Sequence, residues 1–123
     1  MKNIISNELA IKMRDVGFND PCFSKYVNDE IKLCPFGLAE TNSYLINKPY
    51  NISAPTYEQV KIWFMENKLI FINVSCERWM VEYRGEVENF NGLSILKNVN
   101  DYYVAFTMAI EEAIRIKKAN ENE

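Results

Sequence analysis

The 123-residue chain contains no histidine, which removes the commonest general base and the commonest metal ligand together. Serine–histidine–aspartate and cysteine–histidine catalysis, and every histidine-based metal site, are excluded at once. Glycine is scarce as well: the four, at positions 17, 37, 85 and 92, never cluster, so neither a phosphate-cradling loop nor a dinucleotide fingerprint is present. No D-x-D-x-D-G spacing supports a calcium loop either. No cofactor is implied. Four arginines and a formal net charge of −3 leave no basic face for general nucleic-acid binding, which is disfavoured. No apolar stretch approaches the roughly 20 residues needed to cross a bilayer. The opening segment breaks its apolar run at Ser6, Asn7 and Glu8, before the core of a secretory signal can form. Three cysteines, Cys22, Cys34 and Cys76, are an odd number without a C-x-x-C pair, which makes a reducing cytoplasm the expected compartment.

What is present is the balance of an ordinary globular domain, 48% hydrophobic and 25% charged. Sixteen aromatic residues supply large core pieces, and a chain of this length buries about two-thirds of its unfolded surface without a metal or a disulfide. Charge is balanced in residues 1–61, seven against seven, and turns acidic in 62–123, seven cations against ten acids. Many asparagines, isoleucines and lysines beside few arginines are the bias an AT-rich gene imposes, and carry no mechanistic meaning.

Hydrophobic periodicity predicts a first helix from Ser6 to Val16, capped by Ser6 and stopped by Gly17, with Leu9, Met13 and Val16 on one face. Cys22 to Val27 alternates as a strand with one wet face. The polar turn Asn28-Asp29-Glu30 leads into Ile31 to Cys34, giving a first hairpin. Residues 35–55, punctuated by Pro35, Gly37, Pro49 and Pro55, read as loop-rich with a short strand at Ser43 to Ile46. Thr56 and Gln59 form a capping box that opens a helix burying Val60, Trp63 and Phe64. Leu69 to Cys76 and Trp79 to Arg84 alternate as an antiparallel pair. Asn91-Gly92 is the strongest two-residue turn signal and leads into a third strand at Leu93 to Leu96. A last helix from Asn100 or Asp101 to Lys118 presents Phe106, Ala109, Ile110, Ala113, Ile114 and Lys117 along one stripe. Glu111 and Arg115 sit at favourable i,i+4 spacing on its wet side. The expectation is one α+β domain over residues 1–118, an antiparallel sheet of about 4–5 strands with three helices mainly on one face, followed by a flexible tail at 119–123.

Three segments of the chain, Leu9-Ala10 through Gly17-Phe18-Asn19-Asp20-Pro21-Cys22, Ser53 to Val60 with Trp63-Phe64, and Ala109 to Ala113, together resemble a family of small uncharacterised proteins encoded by phages and prophages of gut bacteria. The resemblance spans most of the chain and rests on structural marks: a helix stop, a capping box and an amphipathic stripe. It implies a genomic setting and a shared fold, and it hands over no catalytic residue.

Thiol chemistry at Cys22 or Cys34 is the enzyme option the sequence leaves, but it requires a stabilised thiolate and has no histidine to act as base. Packing accounts for the cysteines more simply, Cys76 above all. A contact between Cys22 and Cys34 across the first hairpin fits the spacing. Glu82, Glu86 and Glu88 are the densest acidic group and read as a solvated hairpin end. The remaining activity is protein binding, without catalysis, through amphipathic rings in loops or at helix starts: Tyr44, Tyr50, Tyr102 and Tyr103. Scattered surface tyrosines are the plainer reading of any one of them. The alternative is a small-ligand or nucleotide site between the sheet and residues 35–55, drawing on Arg78, Trp79, Tyr83 and Arg84, against which core packing of Trp79 and Tyr83 must be weighed. An uncovered sheet edge also permits a two-fold homodimer.

Overall fold

The computed structural model describes residues 3–48, 50–75, 78–83, 86–93 and 100–121, the side chains of 78, 86–93, 100, 101 and 121 excepted. Their contacts gather into two compact units, Asn3–Thr56 and Tyr57–Glu123. Each pairs helices with its own antiparallel sheet, so the chain is α+β.

The first unit starts with α1 (Asn7–Asp15), where Ser6 Oγ accepts the Leu9 N–H at 3.2 Å and satisfies one of the free amides of the opening turn. Gly17 ends it at φ 98°. There the Phe18 N–H donates to the Met13 carbonyl and the Gly17 N–H to the Arg14 carbonyl, both at 3.0 Å, the doubly closed helix stop that requires a left-handed residue. Met13 and Phe18 are both buried, as are Leu9 and Ala10. Strands β1 (Ser24–Val27) and β2 (Glu30–Leu33) form the expected hairpin. Its two loop residues, Asn28 and Asp29, adopt φ of 51° and 70°, a backbone that short polar side chains tolerate and that matches the twist of the flanking strands.

Beyond β2 the chain departs from expectation. Residues 42–45 form a one-turn helix, α2 (Asn42–Leu45), whose Thr41 Oγ1 accepts the Tyr44 N–H at 3.1 Å. The strand expected at Ser43 to Ile46 is therefore absent. The strand that does form is β3 (Asn51–Ser53), which pairs antiparallel with β1 and completes a sheet of order β2-β1-β3.

The second unit contains α3 (Tyr57–Lys68), then β4 (Ile70–Val74), β5 (Arg78–Tyr83) and β6 (Glu86–Leu93) in a meander of order β4-β5-β6, and α4 (Asn100–Glu121). Its core takes Tyr57, Val60, Trp63 and Phe64 from α3, Ile70, Ile72, Trp79 and Val81 from the sheet, and Phe106, Ala109, Ile110 and Ala113 from α4. The helical stripes expected from periodicity are thus the buried ones, Lys117 included.

Among the described residues, two sheets of three strands and four α-helices stand where a single sheet of about 4–5 strands and three helices was expected. Alternation fixes which face of a strand is buried, but not which strand lies beside it. Asn91-Gly92 likewise lies inside β6 rather than at a turn. Trp79 pairs with Gly92 and Val81 with Glu88, so two steps along β5 match four along β6, and the glycine belongs to an irregular strand rather than a hairpin loop. Finally, α4 continues to Glu121, so residues 119–121, expected in the tail, are helical. Asn120 Nδ2 donates back to the Ile116 carbonyl at 2.8 Å.

Candidate functional site

The first unit carries a seven-residue loop, 34–40, pinned at both ends. At one end the Cys34 N–H donates to the Phe23 carbonyl at 2.8 Å; at the other Cys22 and Glu40 exchange both backbone hydrogen bonds, at 2.9 and 3.0 Å. A side-chain pair reinforces the second anchor: Lys25 Nζ lies 2.9 Å from Glu40 Oε1, with the side chains 11% and 13% exposed. The hydrogen bond from Lys25 holds the Glu40 carboxyl below its ordinary range against the opposing effect of burial, and the Cys34 thiol adds to the lowering.

Between these anchors the chain turns tightly at Pro35–Gly37, where the Leu38 N–H donates to the Pro35 carbonyl at 3.1 Å. Both central residues are left-handed, Phe36 at φ 58° and Gly37 at φ 66°. Glycine adopts this backbone freely, whereas a phenylalanine pays about 1–2 kcal/mol for it. The Phe36 ring is nonetheless 96% exposed, so no packing inside the molecule offsets that cost. Phe23, Leu33 and Leu38 are exposed as well, at 64%, 71% and 67%; Leu33 lies opposite Ser24 in the hairpin register, so alternation puts Leu33 and Phe23 on opposite faces of the hairpin.

Cys22 and Cys34 are both buried, reduced thiols. The two residues are in contact, Cys34 Sγ donating to the Cys22 carbonyl at 3.3 Å. Burial pushes the Cys34 thiol up, and its hydrogen bond to the Glu40 carboxylate pushes it further in the same direction. A buried protonated thiol beside a carboxylate is the opposite of the electropositive, accessible setting that makes a cysteine nucleophilic. Cys76 lies outside the described residues.

The same unit contains a cleft of about 560 Å³ between the C-terminal turn of α1 and residues 42–51. Arg14 and Lys48 stand on its walls, and Phe18 and Leu45, both buried, supply its apolar floor. Tyr50 lines it with its side chain 73% exposed and its backbone at φ 77°. Asn42 is locked at this wall: its Nδ2 donates to the Phe18 carbonyl at 2.8 Å while its Oδ1 accepts the Ser53 N–H at 3.0 Å.

The four tyrosines expected to bind a partner divide between the two units. Tyr44 and Tyr50 belong to the first unit, where Lys48 Nζ stands 4.8 Å from the centre of the Tyr44 ring. Tyr102 and Tyr103 belong to the second and extend its core: Tyr103 packs on Tyr57 at 5.0 Å between ring centres, and Tyr102 on Phe106 at 5.9 Å. Of the residues expected to hold a ligand, Trp79 is buried in the sheet, and Tyr83 borders a smaller hollow of about 280 Å³ with Lys68 and Asn120. The Arg78 side chain and Arg84 lie outside the described residues, as do the Glu86 and Glu88 side chains. The cleft borders residues 42–48, 50 and 51 of the expected segment and is walled by the end of α1; among the described residues its lining includes neither Trp79 nor Tyr83.

The sequence reading did not single out Phe23, Leu33, Phe36 or Leu38. The available signal was Phe36 directly before Gly37 in a loop: a bulky residue in a turn that favours asparagine–glycine.

Among the described residues no group of three or more cysteine, aspartate or glutamate side chains is placed to hold a metal ion, and no helix is long and apolar enough to cross a membrane. Neither a protein family, a curated protein nor a solved structure matches the chain.

Proposed function

We propose that this chain is a non-catalytic protein-binding module that engages its partner through the exposed Phe36 turn, in the cytoplasm of a bacterium carrying a phage or prophage. The observation that carries the reading is the Phe36 ring, fully exposed on a left-handed backbone. The protein bears the conformational cost of that residue in isolation, and burial against a partner returns it: an aromatic side chain removed from water contributes about 1.5–3 kcal/mol. The anchors at Cys34 and Glu40 hold the loop in one shape before binding, which reduces the ordering cost of association.

The test is affinity capture from host lysate with the wild-type protein, Phe36→Asn, and Ile62→Gln as an exposed-residue control in the other unit. A stoichiometric protein retained by the wild type and by Ile62→Gln, but lost with Phe36→Asn, supports the reading. A protein retained equally by all three, or a metabolite with no protein, overturns it. A wild-type dimer that Phe36→Asn converts to a monomer makes the partner a second copy of the chain.

A further inference from the structure

The cleft between α1 and residues 42–51 is a second feature, independent of the Phe36 surface. Its dimensions fall within the range of small-molecule sites, about 300–1,000 Å³. Arg14 and Lys48 line it, and among the described residues no aspartate or glutamate does. The acids that compete for these two cations are Asp15 and Glu40. Arg14 meets Asp15 Oδ1 at 3.4 Å with both side chains about half exposed, a long surface pair of little strength. Glu40 is already committed to Lys25 and feels Lys48 only through space. Both cations are therefore available to a ligand, Lys48 from its position over the Tyr44 ring.

Polar groups for orientation are present as well. Asn19 Oδ1 accepts the Ser43 N–H at 2.7 Å, which leaves its amide N–H groups without a hydrogen bond among the described residues. Asn51 and Ser43 also border the space. The apolar floor of Phe18 and Leu45 and the Tyr50 ring give a flat body somewhere to lie. The left-handed backbone of Tyr50 is a cost incurred at the cleft wall, the kind of local strain that persists where a side chain must be aimed.

The geometry points to a binding site for a ring-bearing phosphate monoester of mononucleotide size. Two single positive charges without a lining acid match the charge of a phosphate monoester, about −1.5 to −2 at neutral pH. The ring is held on the Tyr50 side, and the asparagines and Ser43 are positioned for the hydroxyls or ring edges between.

The four ribonucleoside 5′-monophosphates, AMP, GMP, CMP and UMP, are the probes. Each is titrated into the 15N-labelled full chain while amide shifts are followed, and the four neutral nucleosides serve as matched controls. The expected result is saturable shifts confined to residues 14–19 and 42–51 for at least one nucleotide. Its nucleoside binds at least about tenfold more weakly, and Arg14→Gln and Lys48→Gln each weaken the nucleotide about tenfold, as loss of one charge-assisted contact implies. The unperturbed spectrum of each variant shows that it folds. No saturable shift with any nucleotide at millimolar concentration overturns the proposal. So does equal binding of nucleoside and nucleotide, or binding that neither variant weakens. All these outcomes leave the Phe36 reading untouched, because no residue in this test belongs to that surface.

Discussion

Lys25 and Glu40 form an ion pair at 2.9 Å that is nearly withdrawn from water, and it lies where the hairpin sets two lysines side by side. Lys25 is the register partner of Lys32; Lys32 meets Glu30 at 3.4 Å in an exposed pair, while Lys25 turns to Glu40. Removing Glu40 leaves an almost buried ammonium without its carboxylate and next to a like charge. Glu40→Gln is therefore expected to lower stability by about 3 kcal/mol, read as a shift in the urea midpoint at pH 7. The pH dependence follows from the lowered carboxyl. Its contribution is fully present above the ordinary glutamate range and is lost as pH falls through the lowered native value. The stability gap between wild type and Glu40→Gln should accordingly close as pH drops below the ordinary glutamate range. A gap that stays constant in acid would contradict the pairing.

Phe36→Asn separates folding from binding. Asparagine followed by Gly37 is the favoured pair for a turn left-handed at both positions, and the lost ring makes no internal packing. The variant should be as stable as the wild type or gain up to about 1 kcal/mol while losing the captured partner. A clear fall in melting temperature would show that the ring supports the fold after all.

Cys34 and Cys22 should resist alkylation. The raised Cys34 thiol is almost entirely protonated at neutral pH, and burial adds a steric barrier. Iodoacetamide labelling followed peptide by peptide should find both sites modified far more slowly than in urea. Above the ordinary thiol range the sign is also set: the unfolded chain ionises first, so the Cys34 contribution to stability declines as pH rises. Rapid labelling of folded Cys34 at pH 7 would reopen thiol chemistry.

The limits of reading this fold from its residues are physical. Ser6 and Gly17 act locally, through one side-chain oxygen and one backbone angle, and both ends of α1 were legible. The buried stripe of α3 at Val60, Trp63 and Phe64 follows from helical period alone. Strand pairing does not: that β1 accepts residues 51–53 depends on a chain reversal through α2, whose single turn is too short to show periodicity. Gly92 shows the reverse failure, since a strong local turn signal was overridden by pairing with β5. For the candidate site, Tyr50 was visible as an amphipathic ring in a loop. Arg14, Asn19 and Lys48 were not, because they converge only after the chain folds. Phe36 lies in the stretch read as loop-rich, and nothing local marks its ring as exposed on a left-handed backbone.

Tyr57 joins the first turn of α3 to α4 inside the second unit. Its hydroxyl lies 2.9 Å from Thr107 Oγ1, and its ring packs on Tyr103 and Phe106 at 5.0 and 5.1 Å between centres. The two roles are separable by substitution. Tyr57→Phe keeps the ring stack and forfeits one hydrogen bond, a loss of about 1 kcal/mol. Tyr57→Ala removes a ring that is 7% exposed and opens a cavity, which costs about 3–5 kcal/mol. Urea unfolding followed by circular dichroism should rank the three proteins in that order. Thr107→Val should match Tyr57→Phe, and the double variant should lose less than the sum, because a hydroxyl already without its partner has little more to lose. Additive losses would mean that the two hydroxyls are satisfied separately, and that the aromatic stack alone links α3 to α4 at this point.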